Sequence, residues 1–586
     1  MIALKSVDEP QEYKRRGIHA RRDLSHWPRH PNTGGKLWRC AHVPSALKNF
    51  LNLSLSLSKI GALVFLLSVQ SSPMEPMNSR ARGYKDAVKA LNSLQSNFAT
   101  IEATKKLGPS INRNEVSLRE VYEYTRRLGY KPEDFNKLNL IHVTGTKGKG
   151  LTCAFTESIL SQYQGSNGPI GKIGLFTSPH LKSVRERIRI NGHPINELKF
   201  AKYFFDVWDR LSSTESSPDE FPHLQPSNEV KPMYFKYLTI MSFHVFMSEG
   251  VDTAIYEVGI GGHYDSTNII DTPVVTGISS LGIDHTFMLG NTIESITWNK
   301  TGIFKKGVPA VVSEQVEHPE AIEFIEQRAN ERQVSSLEIV SPNILPTHQK
   351  LGLAGDFQRQ NAALAVKLAA IRLEKLGVPL DELPNYEEAL LPDKFISGLE
   401  KTQWPGRCQI IKDKPGFEKI TWYIDGAHTM ESMVVASKWF AQQMETSKPA
   451  ANNIKVLLFN QQNRENAGDL LVKLYEVMAA SKFRFNHVIF TTNVTWSSGD
   501  YNADLVSMNT SKDLVDKLVV QKMLAGIWSE LDQKNNANTR KHILHEIETS
   551  ANFIKSLTNE ADVDVFVCGS LHLVGGVLVV LDNEHD

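Results

Sequence analysis

Residues 143–150 have the types and spacing of a loop that binds phosphate. They read Val-Thr-Gly-Thr-Lys-Gly-Lys-Gly, follow a short apolar strand and precede a predicted helix at 152–163. Glycines let the backbone turn sharply and present N–H groups, a lysine supplies positive charge, and a helix N-terminus adds unpaired donors. The loop therefore predicts a nucleoside triphosphate site. A glycine-rich turn without a ligand is the alternative for this segment alone, because the loop departs from the pattern G-x-x-x-x-G-K-[ST].

Three polar residues that follow predicted strands are candidates for a magnesium site. Glu257 ends the apolar strand 253–258, His285 follows the next strand, and Ser178 lies in the sequence Thr-Ser-Pro-His-Leu. The carboxyl ends of parallel strands meet at one edge of a sheet, so a cation there would join the protein to phosphate oxygens. Each residue also has an ordinary explanation: a solvated acid, a polar loop histidine and a Ser-Pro turn.

Arg407 and Asp425 are the corresponding candidates in the second half of the chain. Asp425 ends a predicted strand in Tyr-Ile-Asp-Gly-Ala-His, and Arg407 closes the turn Trp-Pro-Gly-Arg. An arginine beside a nucleotide neutralises charge that develops on a transferred phosphoryl group. Each motif is modest alone, but their order along the chain indicates a single site.

Predicted strands alternate with helices in two series, which indicates an α/β fold with mostly parallel sheets. The first series has strands near 172–176, 253–258, 274–279 and 308–312 and a helix at 235–247; the second has strands near 421–424, 455–459, 487–491 and 563–567. We expect a P-loop ATPase-like domain at 83–400 and a Rossmann-like α/β domain at 401–586, with ligands between them. The polar segment 211–231 is expected to be a surface insertion.

Composition excludes several kinds of partner. The chain of 586 residues has 65 basic and 65 acidic residues, so no overall field draws it to nucleic acid or to an anionic membrane. Its four cysteines are far apart and lack C-x-x-C spacing, which favours buried thiols and a reducing compartment. We expect a monomer with no nucleic-acid partner and no integral membrane span.

Residues 1–82 differ from the rest of the chain and are expected to be a leader or disordered. Scattered Arg and Lys precede an apolar run at 60–69, which is shorter than the about 20 apolar residues that span a bilayer. Basic residues and serines are typical of a mitochondrial transit segment, whereas Asp8, Glu9, Glu12 and Asp23 argue against one. The expected location is the cytoplasm, the mitochondrion (matrix or inner-membrane surface), or both.

Taken in order, the motifs resemble those of the folylpolyglutamate synthases, which belong with the Mur peptidoglycan ligases to a wider group of ATP-dependent amide-forming enzymes. The resemblance runs from about Tyr84 to the C-terminus and is strongest with eukaryotic members. It rests on the segments 142–150, 177–181 with 185–192, 257–262 with Asp265 and 267–268, 282–285, 298–300 with 302–303, Gln358 with 361–364, 404–407, 425–428 and 569–573.

The resemblance implies a reaction and its cofactors. ATP would phosphorylate the γ-carboxyl of the terminal glutamate of tetrahydrofolate or its polyglutamates, and the amine of L-glutamate would attack the acyl phosphate. This reaction retains folates for one-carbon metabolism. ATP and Mg²⁺ are the implied cofactors, and a monovalent cation such as K⁺ is compatible with them. Positive charge must bring a carboxylate and a triphosphate together, and a dry cleft must protect the acyl phosphate from water.

The same resemblance assigns roles to individual residues. Ser178, Glu257 and His285 would hold magnesium. The implied catalytic residues are Lys149, His428 and Lys300. Lys300 matches a lysine that is carbamylated in some relatives. ATP would be bound by Gly145, Thr146, Lys147, Gly148, Lys149, Gly150, Leu151, Asn361, Arg407 and Asp425.

Two departures from the family pattern bear on activity. Leu151 stands where the family usually has serine and adds bulk near the phosphates, while Thr152 points about 100° further round the helix. Phe357 replaces the histidine of a more usual Glu-His-Gln. The leading hypothesis is a folate-tail glutamate ligase; the alternatives are a dihydrofolate synthase and a catalytically impaired relative that binds nucleotide or folate. A nucleic-acid-binding ATPase conflicts with the neutral charge.

Overall fold

Two α/β sheets organise the protein, whose computed structural model describes residues 82–95, 111–355, 357–447, 452–462, 466–498, 502–506 and 512–584. Residues 1–81, which carry the expectations about a leader, lie outside the described residues. The described residues all belong to one compact unit, Ala81–Asp586. Within these ranges, no helix combines the length and the apolar character needed to cross a membrane.

The first sheet has eight strands and places the glycine loop at its centre. Its strands are β1 Ile141–Thr144, β2 Ile173–Phe176, β3 Ile188–Ile190, β4 His193–Pro194, β5 Thr253–Glu257, β6 Val275–Ile278, β7 Ala310–Ser313 and β8 Leu337–Val340. Their order is β4-β3-β2-β5-β1-β6-β7-β8. β3 and β4 are antiparallel additions at one edge, and the other six strands are parallel. The parallel strands therefore end on one side, where the loop after β1 also begins.

The second sheet has six strands and repeats this arrangement. Its strands are β9 Gln409–Ile411, β10 Ile420–Ile424, β11 Ile454–Phe459, β12 His487–Phe490, β13 Arg540–Ile543 and β14 Val563–Cys568. Their order is β13-β12-β11-β14-β10-β9, and only β9 is antiparallel to its neighbour. The α/β fold class with mostly parallel sheets is thus confirmed.

Helices cover the faces of both sheets. The α-helices are α1 Tyr84–Asn92, α2 Ile111–Leu128, α3 Lys149–Ser161, α4 Glu197–Ser212, α5 Tyr234–Glu249, α6 Thr286–Leu289, α7 Ile293–Lys300, α8 Ala321–Arg332, α9 Gln358–Lys375, α10 Asp393–Lys401, α11 Met430–Ser447, α12 Ala467–Ala480, α13 Lys512–Asp516, α14 Val519–Lys534, α15 Ile547–Leu557 and α16 Leu571–Asp582. Each strand and helix predicted from the sequence is present. The helix after the glycine loop begins at Lys149, three residues earlier than predicted.

The segment 211–231 is more than a surface insertion, so that prediction was wrong in part. Its first two residues end α4, and Phe221 and Leu224 are buried in the core beside the first sheet. The buried Arg127 guanidinium donates hydrogen bonds to the carbonyl oxygens of Leu211 and Ser227. Anchoring by apolar side chains and by a buried arginine was not visible in the polar composition of the segment.

Residues 180–184, here called the docking segment, connect the first sheet to the second half of the protein. The Leu181 side chain is buried among core residues of the second sheet. His180 Nε2 donates to the carbonyl oxygen of Asp504 over 2.8 Å, and the Val184 N–H donates to Asp504 Oδ1 over 2.7 Å. Lys182 forms ion pairs with Asp582 and Glu584 at the C-terminal end of α16. The segment thus fixes the position of one half relative to the other.

Candidate functional site

A cavity of about 1260 Å³ lies at the carboxyl ends of the strands and is lined by residues of both halves. Most of the predicted site residues line it. These are Thr146, Lys147, Gly148, Lys149, Gly150, Leu151, Ser178, Glu257, His285, Asn361, Arg407, Asp425 and His428. Gly145 and Lys300 do not line it. The structure therefore brings together, in one space, residues that are more than 250 positions apart in the sequence.

Two glycines give the loop after β1 its shape. Gly145 has a φ of 148° and Gly148 a φ of 85°, values that side chains disfavour. A Cβ atom would overlap Ser279 Oγ at Gly145 and Asn361 Oδ1 at Gly148. The absence of side chains thus lets the loop pack against the residue after β6 and against α9.

The N-terminus of α3 faces the cavity. The Thr152 N–H donates to the Gly148 carbonyl over 2.8 Å, which places residues 148–151 in the first turn, where amides lack an intrahelical partner. These four residues all line the cavity. Their amides, the helix dipole and the Lys149 side chain together favour a negatively charged group at this point.

Lys300 supports the loop from behind. It is 3% exposed, and its Nζ donates to the carbonyl oxygen of Gly145 over 2.6 Å. Burial lowers the pKa of the Lys300 ammonium well below its usual range, and the nearby Lys149 charge acts in the same direction. The Thr146 and Lys147 amides both donate to the Ser280 carbonyl, at 2.9 and 3.1 Å. The loop is therefore held in place before any ligand binds.

Glu257 places a buried carboxylate beside the start of α3. It ends β5, is 5% exposed, and its Oε2 accepts a 2.9 Å hydrogen bond from the Ser178 N–H. Burial raises the pKa of the Glu257 carboxyl, and the Lys149 charge, the Ser178 amide and Arg407 oppose that rise. A Cβ atom at Gly150 would lie 3.3 Å from Glu257 Oε2, so the glycine also keeps the space in front of this carboxylate open.

His285 lies on the opposite side of the loop, at the start of α6. It has a φ of 51°, its side chain is half-exposed, and its Nε2 lies 3.8 Å from Asp284 Oδ2. Within the described ranges, no three His, Cys, Asp or Glu side chains cluster closely enough to hold a metal by themselves. Mg²⁺ usually takes only one or two carboxylates and completes its shell with water and phosphate oxygens. The buried Glu257 carboxylate is therefore compatible with an ion that is shared with a nucleotide and water, and the described residues do not form an all-protein site.

Asp425 and Arg407 belong to the wall that the second half contributes, and Cys408, which does not line the cavity, binds Asp425. Asp425 follows β10, and its Oδ2 accepts a 2.8 Å hydrogen bond from the Cys408 N–H. Arg407 NH1 lies 3.9 Å from Asp425 Oδ1. Burial raises the pKa of the Asp425 carboxyl, while Arg407 and the Cys408 N–H oppose the rise. This wall thus presents both an acceptor and a cation to the cavity.

His428 follows Asp425 by three residues and has a defined tautomer. Its Nδ1 lies 2.7 Å from the Gly426 carbonyl oxygen, which can only accept, so Nδ1 carries the proton. Whenever the ring is neutral, Nε2 is then the acceptor nitrogen. The same residue lines the cavity next to Ser432 and Leu571.

Lys147 reaches across the mouth of the cavity. Its Nζ lies 2.8 Å from Glu317 Oε2 and 3.9 Å from Glu431 Oε2. Glu317 belongs to the first half, and Glu431 is in the first turn of α11 in the second half. The loop lysine thus contributes to contact between the halves.

Leu151 packs into the core as well as lining the cavity. It is 9% exposed and belongs to the cluster of apolar residues between the first sheet, α3 and α9. Thr152 is fully buried and does not line the cavity, so its hydroxyl does not replace that of a serine at 151. Phe357 is part of the cavity wall and remains about one-third exposed, at 38%.

Several cavity residues were not predicted as site residues from the sequence. Two of them are Arg187 and Arg189, whose guanidinium groups lie over the rings of Tyr234 and Trp404. The three arginines of the sequence Arg-Glu-Arg-Ile-Arg at 185–189 were the available signal, but the sequence does not show which of them face the cavity, because residues 184–187 form a 3-10 turn and the strand begins only at Ile188.

Comparison with known proteins identifies the family. A folylpolyglutamate synthase of Candida albicans is 62% identical over 515 residues, which is 86% of this chain and 97% of the relative. A folylpolyglutamate synthase of Saccharomyces cerevisiae strain S288c is 52% identical over 508 residues, or 87% of this chain and 88% of the relative. The chain belongs to the folylpolyglutamate synthase family. The resemblance inferred from the motifs is thereby confirmed, and the protein is a ligase that forms C–N bonds.

Other comparisons agree with this folylpolyglutamate synthase assignment. Residues 411–580 match a family model described as the C-terminal domain of dihydrofolate synthetase. A Mycobacterium tuberculosis folylpolyglutamate synthase complexed with ADP has a TM-score of 0.59 at 20% identity and covers 86% of this chain and 100% of its own. FolC of E. coli, in complex with DHPP and ADP, has a TM-score of 0.57 at 22% identity and covers 86% of this chain and 99% of its own. At these identities the two structures support the fold alone.

We expect Gly148→Ala to weaken nucleotide binding about tenfold or more, because the strained φ and the overlap with Asn361 displace the loop. Isothermal titration with ADP measures the Kd. Gly129→Ala is the matched control: its φ is 95°, and its added Cβ meets nothing within 4 Å. The control should bind ADP normally. A folded Gly148→Ala protein with an unchanged Kd would contradict this account of the loop.

Leu151→Ser should lower the free energy of unfolding by about 2–4 kcal/mol, because it removes a buried apolar side chain and buries a hydroxyl. We expect no gain in kcat, since the leucine packs into the core. Chemical unfolding and turnover measure the two effects. Leu198→Ser, at a position 84% exposed in α4, is the control and should change stability by less than about 0.5 kcal/mol. A large rise in kcat for Leu151→Ser would show that the leucine obstructs the reaction.

Proposed function

We propose that the protein adds L-glutamate to the γ-carboxyl of the terminal glutamate of tetrahydrofolate and its polyglutamates, with ATP as phosphoryl donor. The observation that carries the proposal is the single cavity that joins the glycine loop and Glu257 of the first half to Arg407, Asp425 and His428 of the second. Membership of the folylpolyglutamate synthase family supports the same reaction.

The phosphates of ATP would lie against the loop and the start of α3. Gly145 and Gly148 allow the close approach, the amides of the first turn of α3 donate to phosphate oxygens, and Lys149 supplies charge. Thr146, Lys147, Gly150 and Leu151 complete the loop, and Asn361 packs beneath Gly148. Arg407 and Asp425 would reach the nucleotide from the second half.

Magnesium would be held by Glu257, with Ser178 and His285 at the edges of the same space. When bound, the ion would neutralise phosphate charge so that a carboxylate can approach the triphosphate. The Glu257 carboxylate suits this role because burial makes its negative charge costly, as the raised pKa shows, and a bound cation would compensate that charge. A monovalent cation such as K⁺ remains a prediction.

The remaining chemistry is carried by the cavity and by its charged residues. The γ-carboxylate of the folate attacks the terminal phosphorus of ATP, and ADP leaves, while Lys149 stabilises the charge that develops on the phosphoryl group. The amine of L-glutamate then attacks the acyl carbon and phosphate leaves. His428 Nε2, as an acceptor, is suited to take the proton that the amine loses. Closure of both halves round the acyl phosphate limits its hydrolysis.

Lys300 would act from behind the loop. Its contact with Gly145 supports the shape of the phosphate site. Burial lowers the pKa of its ammonium and so favours the neutral amine, which is the form that reacts with carbon dioxide. Carbamylation of Lys300 is therefore compatible with its environment and remains a prediction.

We further propose that the two sheets mark two domains with a boundary near residue 400. The first sheet ends at Val340 and the second begins at Gln409. Each sheet has its own helices and its own core clusters, apart from the docked Leu181. A monomeric state and a location in the cytoplasm or the mitochondrion remain predictions.

A glutamate-incorporation assay tests the proposed function. We expect purified protein, tetrahydrofolate, L-glutamate, Mg²⁺ and ATP to give longer γ-glutamyl chains, detected by mass spectrometry. Chelation with EDTA should abolish product, and added Mg²⁺ should restore it. Protein that binds ATP but forms no product under these conditions would contradict the proposal and favour the catalytically impaired alternative.

Dihydropteroate in place of tetrahydrofolate tests the second candidate in the same assay. The match of residues 411–580 to a dihydrofolate synthetase domain is the observation that favours it. We expect tetrahydrofolate to be the better acceptor. A higher kcat/KM for dihydropteroate would instead assign dihydrofolate synthase as the main activity.

A further inference from the structure

We propose that Arg187 and Arg189, together with the rings of Tyr234 and Trp404, form the subsite that binds the α-carboxylates along the γ-glutamyl tail of the acceptor. The inference rests on the proposed function and specifies which residues bind the γ-glutamyl tail. It begins from an unusual feature of the cavity wall: two arginines, each laid against an aromatic ring, enter it from one short segment.

The segment 185–189 contains two kinds of arginine, because residues 184–187 form a 3-10 turn and the strand begins at Ile188. Arg187 and Arg189 line the cavity, whereas Arg185 does not. The Arg185 guanidinium lies 5.5 Å from the centroid of the Tyr84 ring, and its NH1 donates to the Ile195 carbonyl over 3.2 Å. Only two of the three arginines are therefore available to a ligand in the cavity.

Arg187 is held rigidly and close to the reacting groups. It is 9% exposed, its Nε donates to His180 Nδ1 over 2.9 Å, and its guanidinium carbon lies 5.5 Å from the Tyr234 ring centroid. Burial lowers the pKa of Arg187, while Tyr234 and Glu257 oppose the change. Arg187 and Glu257 line the same cavity, and His180, which accepts from Arg187, follows by two residues the Ser178 amide that binds Glu257. Arg187 therefore faces the part of the cavity where the carboxyl group would react.

Arg189 lies next along the wall. Its Nε donates to the Glu186 carbonyl over 3.3 Å, and its guanidinium carbon lies 4.7 Å from the Trp404 ring centroid. A guanidinium stacked on an indole keeps N–H groups at its edge for a carboxylate. Trp404 begins the turn that leads to Arg407, so this part of the wall is formed by both halves.

Among the described residues, neither arginine forms an ion pair with a carboxylate, although Glu257 and Glu186 interact electrostatically with Arg187, and Glu157 with Arg189. Among the described residues, no carboxylate oxygen lies within 4.0 Å of the Arg187 or Arg189 side-chain nitrogens. A charge that is partly buried without such a partner is stabilised by an incoming anion. The ligand expected here therefore carries carboxylates and an apolar or aromatic part that fits beside Tyr234 and Trp404.

The spacing of the arginines fits a γ-glutamyl chain. Residues two apart in an extended segment are separated by roughly 6–7 Å. Successive α-carbons of a γ-linked glutamate chain are joined by five bonds, which span roughly 6 Å when extended. Arg187 would thus bind the α-carboxylate of the residue that reacts, and Arg189 the α-carboxylate of the residue before it.

This arrangement predicts a dependence on tail length. Arg189→Gln should raise the KM for tetrahydrofolyl di- and triglutamate about tenfold, with a smaller effect on the monoglutamate, which lacks the preceding α-carboxylate. The effect on KM should exceed that on kcat, and the KM for L-glutamate should stay unchanged. Arg187→Gln should raise the KM of all three acceptors. Arg189→Lys should recover part of the loss, since it keeps the charge.

Arg185→Gln is the matched control from the same segment, and its KM for each acceptor should equal that of the unaltered protein. Unfolding midpoints check that every variant is folded. Arg189 is partly exposed and forms no ion pair among the described residues, so Arg189→Gln keeps the test decisive should Arg187→Gln unfold. Equal effects of Arg189→Gln on all tail lengths, or behaviour like that of Arg185→Gln, would overturn the assignment.

If Arg189→Gln raised the KM for L-glutamate and left the KM for the folate acceptor unchanged, the assignment would also be overturned, because the subsite would then bind the incoming amino acid. If the proposed function itself were wrong, the result would be different: the unaltered protein would incorporate no glutamate. An active unaltered protein whose Arg189→Gln variant keeps the normal dependence on tail length rejects this inference alone.

Discussion

The insertion of the docking segment into the second half is the contact on which the geometry of the site depends. Leu181 is buried in the core of the second sheet, and three residues earlier the Ser178 amide binds the Glu257 carboxylate. His180, at the start of the segment, links the Asp504 carbonyl to the Arg187 guanidinium. One short stretch thus couples the packing of the two halves to a candidate metal ligand and to a cavity arginine.

Buried charge is the second constraint, and it explains why the site needs both halves. Glu257, Asp425 and Lys300 are all buried, and in each case burial shifts the pKa towards the neutral form. Charges in such an environment are costly unless opposite charges lie nearby. Lys149 and Arg407 offset part of the cost for the two acids, and the proposed substrates bring further anionic and cationic groups into the cavity.

The sequence was sufficient to predict the strands and the loop, because apolar periodicity and glycine placement are local signals. The order of the motifs was sufficient to predict the family. It placed the start of α3 late, since the helix begins at Lys149 after Gly148, an N-cap residue with a positive φ in place of the usual Ser or Thr. It also could not show that Leu151 belongs to the core or that Lys300 lies behind the loop. Those facts, like the stacking of Arg189 on Trp404, depend on side-chain directions set by residues far away in the chain.

The most direct test of a site assembled by the docking segment is the turnover of Gly575→Ala. A Cβ atom at this position in α16 would overlap the Leu181 carbonyl oxygen, whereas one at Gly526 in α14 would meet nothing within 4 Å. The account predicts that Gly575→Ala lowers kcat for glutamate incorporation about tenfold or more, through misplacement of the segment, while the first half still binds ADP. Gly526→Ala should keep full turnover. A folded Gly575→Ala protein with unchanged kcat would contradict the account.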